Sequence, residues 1–408
     1  MNPFAPLRRP RFNPRNPQAS TGGYENRGKP FSSWLVKLVR MILWRGESRE
    51  QVSPPHQGEA VVDQLPWTDD SSSPSNGEYD YVAPYRSKSD SAEADLIKSL
   101  AETTAFTRLG DVRFLGALDY YLVARPNGSV SNKRYTRLQH SLGVAALAKS
   151  YLDLTQHGPH DRLLCVAAAM LHDIGHPPFS HTLEPVFEEL CGLDHHKASE
   201  RIITGQAALG QEVTAVLRSF GIDPLAVINV LNGGDDLFDQ FFSGPINFDT
   251  IEGILRARNY LKMQRLGLSP FKVMHAAAFR DDPQCKQVVD GFWQSKHDVY
   301  TLVIRSRLGV LYDSLFQAIA RKHASSFVAA DFFATETEIF RKVPLLREAL
   351  KKERVKSIAE EVLPPQVQYQ TRHFFVDDQI SFESRNDDRR YRQTKSPTCL
   401  TLQDILPA

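Results

Sequence analysis

Residues 163 to 181 read LLCVAAAMLHDIGHPPFSH, and the fold prediction rests mainly on them. Its first nine residues, Leu163 to Leu171, are all apolar. A helix built from them has no polar face, so the sequence predicts a helix that is buried on all sides. Gly175 allows this helix to end, and Pro177 and Pro178 prevent its continuation. The sequence therefore predicts a buried helix with a sharp C-terminal end.

Ionisable side chains crowd the end of this helix. Four of them follow it within ten residues: His172, Asp173, His176 and His181. Such groups are costly at a buried position unless they are paired or bind a metal. A single His–Asp pair is more often a hydrogen-bonded core histidine beside an aspartate that caps a loop. Two further His–Asp pairs occur in the sequence: we interpret the one at 160–161 as part of a solvated loop and the one at 297–298 as part of a half-exposed helix. Four ionisable groups together favour a functional site.

Two other segments supply residues of the same kind. RLQHSLGV, at residues 137–144, opens a helix in which His140 shares a stripe with Val144 and therefore points inward. Asp249 follows Phe248 at the start of a later helix. Taken alone, His140 is interpreted as a packed core histidine and Asp249 as an N-cap.

The order of these segments, with RLQHSLGV before HDIGHPPFSH and an aspartate further on, resembles the HD-domain metal-dependent phosphohydrolases. Within them it is most similar to the deoxynucleoside triphosphate triphosphohydrolase branch. The resemblance begins near Thr104 and fades after about Ala318. We expect an all-α fold: an HD-domain helical core with a disordered N-terminal arm and a small C-terminal α+β extension. Alarmone hydrolases carry HDxxED and cyclic dinucleotide phosphodiesterases HDIGK, so the HDIGH found here argues against both substrates.

The resemblance implies a role for each matched residue. The metal ligands would be His140, His172, Asp173 and Asp249. Two imidazoles and two carboxylates suit a divalent ion such as iron, manganese, nickel, zinc or magnesium. The catalytic residues would be Arg137, His176 and His181, which face the phosphates, with His195 or His181 as the proton donor to the leaving oxygen. The substrate-binding residues would be Arg137, His176, His181, Arg256 and Tyr300.

The chain also departs from the family pattern. Gly253 and Ala257 stand where the triphosphohydrolases have a tyrosine and an acid that grip the sugar, while Arg256 is kept. His196 stands in place of the usual glutamate, and Glu184 matches an acid behind the last histidine of the motif. We therefore predict hydrolysis of a nucleotide-type phosphoester by metal-activated attack of water on phosphorus. The alternative is a catalytically weak nucleotide-binding or regulatory module, tethered to a membrane surface.

Composition bounds the class of protein. The chain has 408 residues, of which 41% are hydrophobic and 24% charged, which excludes a fully disordered chain. Its net charge of +1 gives no reason to expect specific nucleic-acid binding. No run of 18 apolar residues occurs and the four cysteines form no CxxC pair, so we expect a protein of a reducing compartment, cytoplasmic or peripheral at a membrane.

Three regions are predicted. Residues 1–90 form a disordered arm, basic and then acidic, with an amphipathic helix near 33–45. The amphipathic pattern fits contact with a membrane surface or another protein and fits packing on the protein's own core equally well. Residues 91–340 form the HD core, and residues 341–408 a C-terminal helical and strand extension with a mobile tail. The resemblance also makes a homo-oligomer plausible. The local predictions are helices at Ala92–Ala105, Val299–His323 and Pro344–Leu363, strands at Tyr120–Ala124 and Thr371–Phe382, and a mobile surface segment at Arg385–Lys395.

Overall fold

The computed structural model describes residues 91–120, 136–235, 237–259, 268–279 and 283–406. These ranges fold into 17 α-helices and one two-stranded antiparallel sheet near the C-terminus. The all-α class with a small C-terminal α+β extension is confirmed. The predictions for the arm at 1–90, including the helix near 33–45, lie outside the described ranges.

The elements follow one another in a simple order. The first half contains α1 (Ala92–Ala101), α2 (Thr104–Arg108), α3 (Arg137–Leu154), α4 (Pro159–Leu171), α5 (Glu184–Cys191), α6 (His195–Ile203), α7 (Gly210–Ser219) and α8 (Pro224–Leu231). The second half contains α9 (Asp239–Phe242), α10 (Phe248–Arg258), α11 (Pro270–Ala278), α12 (Pro283–Val299), α13 (Arg307–Lys322), α14 (Glu336–Lys342), α15 (Pro344–Glu348), α16 (Lys352–Val362), β1 (Gln366–Val376), β2 (Tyr391–Thr401) and α17 (Leu402–Ile405). The two strands pair with Gln366 opposite Thr401.

The apolar helix is α4, and it is buried as predicted. It begins at Pro159, which suits a first helical position because proline lacks the N–H that would be unbonded there. From Leu164 to Leu171 every side chain is at most 6% exposed. The helix ends with His172 as its C-cap, so the motif begins where the buried apolar run stops.

Two hydrophobic cores divide the part of the chain that the structure describes. The first surrounds α3, α4 and α8 and the helices α10 to α12, and the second is built mainly from α13 to α16. The loop that follows α4 lies between them, since Ile174 belongs to the first core while Phe179 and Leu183 belong to the second. The loop of the motif therefore packs against both hydrophobic cores.

Close packing explains the glycine at the end of α4. A Cβ atom on Gly175 would lie 2.3 Å from both the carbonyl oxygen of His195 and the backbone nitrogen of Ser199. Those atoms belong to the first turns of α6 and cannot move as a flexible side chain can. Gly175 thus lets α6 approach the motif, and its N–H donates to Ser199 Oγ at 3.0 Å.

Replacing Gly175 with alanine is expected to lower the free energy of unfolding by about 2 to 3 kcal/mol, because α6 must shift to admit the methyl group. Urea denaturation measures the change. Gly158→Ala is the matched control: its added methyl would meet nothing nearer than Asp161 Oδ2 at 3.5 Å, and we expect a loss below about 1 kcal/mol. Equal losses in the two variants would show that the contact with α6 is unimportant.

Several local predictions are wrong in detail. The helix predicted at 92–105 stops at Ala101, and Thr103 caps a new helix. The helix predicted at 299–323 is interrupted by a π-helical turn, Tyr300–Ile304, after which Ser306 caps α13. The helix predicted at 344–363 is split into α15 and α16. Tyr120 ends a 3-10 helix, Gly116–Tyr120, rather than beginning a strand; residues 121–124 lie outside the described ranges.

The C-terminal part departs furthest from expectation. The first strand begins at Gln366 rather than 371, and the region predicted to be a surface segment contains the start of β2. Arg385 and Arg390 are at most 1% exposed, so the surface prediction is wrong for both. Arg390 pairs with Asp290 at 2.5 Å, and Arg385 donates to the carbonyl of Ala277 at 3.0 Å.

Across the described ranges, no single helix reaches the length and hydrophobicity needed to cross a bilayer. The pair Gly210–Ser219 and Pro224–Leu231 reaches them only when taken together, and the two helices are bent by 102°.

Candidate metal centre

Three helix ends bring the predicted metal ligands together. Thr136 and Gln139 form a capping box at the start of α3, which fixes the turn that carries the fully buried His140. The end of α4 supplies His172 and Asp173. The first turn of α10 supplies Asp249.

Asp249 is not the N-cap of its helix. Asn247 caps α10, with its side chain accepting the N–H of Thr250 at 2.7 Å. The carboxylate of Asp249 is therefore available to the histidines. Its side chain is 50% exposed, which leaves the site open on that side.

The ligand atoms converge closely. His140 Nε2 lies 3.0 Å from Asp249 Oδ1, 3.2 Å from His172 Nε2 and 3.4 Å from Asp173 Oδ2. His172 Nε2 lies 3.4 Å from Asp173 Oδ2 and 3.8 Å from Asp249 Oδ1. Nitrogen and oxygen ligands at about 2.1 Å from one divalent ion are about 3 to 4 Å apart. The spacing of these atoms fits a single bound cation.

The opposite ring nitrogens are held by other groups. His140 Nδ1 makes a short hydrogen bond to Glu252, which is fully buried, and Arg256 Nε donates to Glu252 at 2.9 Å. His172 Nδ1 donates to the carbonyl of Ala169 at 2.8 Å. A proton on each Nδ1 leaves each Nε2 lone pair free for a metal, the arrangement usual for metal-binding histidines.

The electrostatics also suit a cation. Partial burial opposes ionisation, but the neighbouring imidazoles of His140 and His172 lower the pKa of Asp249 to about 2. Burial likewise opposes ionisation of Asp173, yet the charge of Arg137 holds its pKa well below the ordinary value. Against the effect of burial, the neighbouring carboxylates raise the pKa of His172 to about 9, so a metal that binds here would displace a proton from its Nε2. The protein thus concentrates negative charge where the histidines meet.

A second cluster lies beside the first. His176 is fully buried; its Nε2 is 3.1 Å from Asp173 Oδ1, and its ring stacks on His195 with centroids 4.3 Å apart. Glu184 accepts from Nδ1 of His181 at 2.8 Å and makes a short hydrogen bond with Nδ1 of His195. Burial and the charge of Arg137 hold the pKa of His176 well below its ordinary value, so this ring is neutral.

Three of the predicted substrate residues contact other parts of the protein. Arg137 is 4% exposed and donates to Asp173 at 2.5 Å, so it orients a predicted metal ligand. Arg256 is 2% exposed and packs behind His140. Tyr300 packs its ring on Phe374 of β1, with centroids 4.9 Å apart. The cavity beside the predicted metal ligands is lined by His195 but by none of these three residues, nor by His176 or His181.

That cavity has a volume of about 270 Å³. It reaches from the metal-site residues His172, Asp173 and Asp249 to the first turns of α6. Its other walls are aliphatic and aromatic, with a few amides: Val144, Ile228, Leu231, Asn232, Phe241, Phe242, Asn247 and Phe248. Sequence reasoning missed the part of this wall that α8 and α9 supply, because those two helices carry no motif.

Sequence reasoning also missed Glu252. The available signal was its spacing: Glu252 follows Asp249 by three residues, which places both on one face of α10. Its contact with His140 spans 112 residues of chain. Gly143 makes room for it, since a Cβ there would lie 2.4 Å from Glu252 Oε1.

Comparison with known proteins agrees with the geometry. The HD domain family model matches residues 137–223. This segment holds three of the four converging ligands, and the resemblance to the HD-domain phosphohydrolases is confirmed. The relatives include proteins of the triphosphohydrolase-like branch.

Three relatives illustrate the similarity. The Bacillus subtilis protein YwfO is 36% identical over 138 residues, 33% of this chain and 29% of its own length. Deoxyguanosinetriphosphate triphosphohydrolase-like protein 1 of Mesorhizobium japonicum is 30% identical over 169 residues, 40% of this chain and 37% of its own. A deoxyguanosinetriphosphate triphosphohydrolase-like protein of Rhodopseudomonas palustris is 38% identical over 73 residues, 17% of each chain. The matches span well under half of these relatives.

Proposed function

We propose that this protein is a metal-dependent phosphohydrolase that acts on a nucleotide-type phosphoester. The observation that carries the proposal is the convergence of His140, His172, Asp173 and Asp249 around one position. The names of the triphosphohydrolase-like relatives support the same class of reaction.

The four ligands fit a divalent transition metal better than magnesium. Two imidazole nitrogens suit iron, manganese, nickel or zinc, whereas magnesium prefers an all-oxygen shell. A divalent ion bound here supplies Lewis acidity, which lowers the pKa of water and offsets phosphate charge. Glu252 and the carbonyl of Ala169 keep both rings in the tautomer that binding requires.

Proton transfer is assigned to the second cluster. Glu184 fixes the Nδ1 atoms of His181 and His195, which leaves each Nε2 to exchange a proton with substrate. The His181 side chain is 64% exposed, so it can reach a leaving oxygen at the surface of the site. We assign the proton donor to His181 or His195, because imidazole is the side chain most often used for general acid–base catalysis.

We do not expect the substrate to be a deoxynucleoside triphosphate whose sugar is bound by a tyrosine and an acid, as in the triphosphohydrolases. A Cβ on Gly253 would lie 3.1 Å from Phe114 Cζ, so the Phe114 ring occupies the space that a larger side chain would need. The same ring lies 4.7 Å from the ring of His140 and 4.8 Å from the guanidinium of Arg137. We therefore propose a nucleotide substrate whose sugar makes no contact with a side chain at position 253.

The same observation favours a second candidate, a nucleotide-binding or regulatory module with little turnover. A panel of nucleoside tri-, di- and monophosphates separates the two, with phosphate release and binding measured on metal-loaded protein. Release from at least one class, lost on treatment with a chelator, supports the enzyme. Tight binding without release from any of them supports the module and contradicts the enzyme.

A further inference from the structure

A buried carboxyl group from the second core reaches the loop of the HD motif. Glu336, the first residue of α14, is fully buried. Its Oε1 accepts the backbone N–H of Arg113 at 2.6 Å and that of Phe179 at 3.0 Å. Its Oε2 accepts a short hydrogen bond from the hydroxyl of Tyr120. One side chain therefore joins α14 to two segments that flank the metal position.

The loop that Glu336 holds has an unfavourable backbone. Phe179 and Ser180 adopt φ angles of 62° and 48°, in the left-handed region that residues other than glycine rarely occupy. Such a conformation persists only where the surroundings impose it. The hydrogen bond from the Phe179 N–H to Glu336 is one of the contacts that impose it here.

This loop is connected to the metal position by direct contacts. Ser180 Oγ donates to the carbonyl of Arg113 at 2.6 Å and accepts from Arg137 Nε at 3.0 Å. Arg137 in turn donates to Asp173 Oδ2 at 2.5 Å. A continuous series of hydrogen bonds thus leads from the second core to a metal ligand.

The rest of the loop is equally constrained. Thr182 Oγ1 donates to Asp313 of α13 at 2.6 Å. Gly116 approaches so closely that a Cβ on it would lie 2.2 Å from the carbonyl oxygen of Phe179. The surrounding atoms therefore leave the loop little space in which to rearrange if the Glu336 contacts are lost.

The chemistry of Glu336 allows a precise substitution. Burial raises the pKa of Glu336 to about 8, although the hydrogen bonds from Tyr120 and the two backbone N–H groups lower it. A neutral acid at pH 7 is matched in charge by glutamine, whose oxygen can accept both N–H groups. Its amide nitrogen can only donate to the Tyr120 oxygen, so the direction of that one hydrogen bond is reversed. Leucine has a similar size and makes none of these bonds.

We propose that Glu336 is a positioning residue for the metal site: it fixes the Phe179–Ser180 backbone, through which Arg137 is held on Asp173. The role lies outside the HD motif and comes from the opposite hydrophobic core. It rests on the proposed metal site, and its test separates the two claims.

The experiment compares full-length wild type, Glu336→Gln and Glu336→Leu, with Glu353→Leu, an exposed change in α16, as the control. Manganese affinity of the metal-free proteins is measured by titration calorimetry, and amide hydrogen exchange is followed in the peptide that spans residues 176–183. We expect Glu336→Leu to weaken manganese binding at least about tenfold, as loss of groups that orient ligands does, and to accelerate exchange. Glu336→Gln and the control are expected to stay within about threefold of wild type in the same titration.

Each contrary result has its own meaning. If wild type binds manganese and Glu336→Leu binds it equally well, the positioning role is overturned while the metal site stands. Equal losses in the glutamine and leucine variants also overturn it, because the glutamine oxygen keeps the two bonds to the backbone N–H groups. If wild type binds no divalent metal, the proposed function and the positioning role both fail. Should Glu336→Leu not fold, Tyr120→Phe removes one of the three bonds, and unchanged affinity and exchange there would overturn the role.

Discussion

Asp173→Ala is expected to abolish metal binding and to lower phosphate release by about a thousandfold or more, since the Lewis acidity of a metal contributes several kcal/mol to such reactions. Asp173 lies 3.4 Å from Nε2 of both His140 and His172, so its loss removes one ligand of four and much of the negative charge. Metal content by mass spectrometry and initial rates of phosphate release measure the effect.

Two further variants serve as a control and as an independent test of this prediction. Asp161→Ala makes the same change in the His160–Asp161 pair at the start of α4 and is expected to retain full metal content. Asp249→Ala removes a ligand that is half-exposed, which limits the cost to folding. If both Asp173→Ala and Asp249→Ala keep wild-type metal content, the four residues do not form the site.

Glu184→Gln is expected to lower kcat by about a hundredfold, within the range that general acid–base groups contribute, while metal content stays at the wild-type level. Glu184 accepts hydrogen bonds from both His181 and His195, and hydrogen bonds from these rings hold its pKa far below the ordinary value despite burial. A glutamine has one acceptor oxygen, so at least one ring loses its orientation.

The control for this variant lies on the same helix. Glu189 in α5 pairs with Arg321 at 2.8 Å on the surface, and Glu189→Gln is expected to leave kcat unchanged. A Glu184→Gln enzyme with a normal kcat would remove His181 and His195 from the proton-transfer step. A loss of metal in this variant would instead show that Glu184 helps to stabilise the metal site.

The sequence was most informative where local pattern and chemistry coincide. The apolar run of α4 predicts a buried helix, and the glycine and prolines after it predict the end, so the position of His172 and Asp173 follows from the sequence alone. For Asp249 the pattern was ambiguous, because any aspartate at a helix start can cap it. Asn247, two residues earlier, takes that role instead.

Contacts between distant parts of the chain could not be predicted. Glu252 meets His140, Glu336 meets Phe179, and Arg390 meets Asp290, and each pair is at least 100 residues apart. The buried Arg390 illustrates this most clearly. A charged stretch is usually a solvated surface, and only a carboxylate distant in sequence explains why this arginine is buried. Local periodicity contains no information about such partners.

Metal content of the purified wild-type chain tests the central claim most directly. We predict close to one divalent transition-metal ion per chain, removed by a chelator and restored by dialysis against manganese or iron. A chain that contains only traces of metal, and that binds none of manganese, iron, nickel, zinc or magnesium when titrated, would contradict the account.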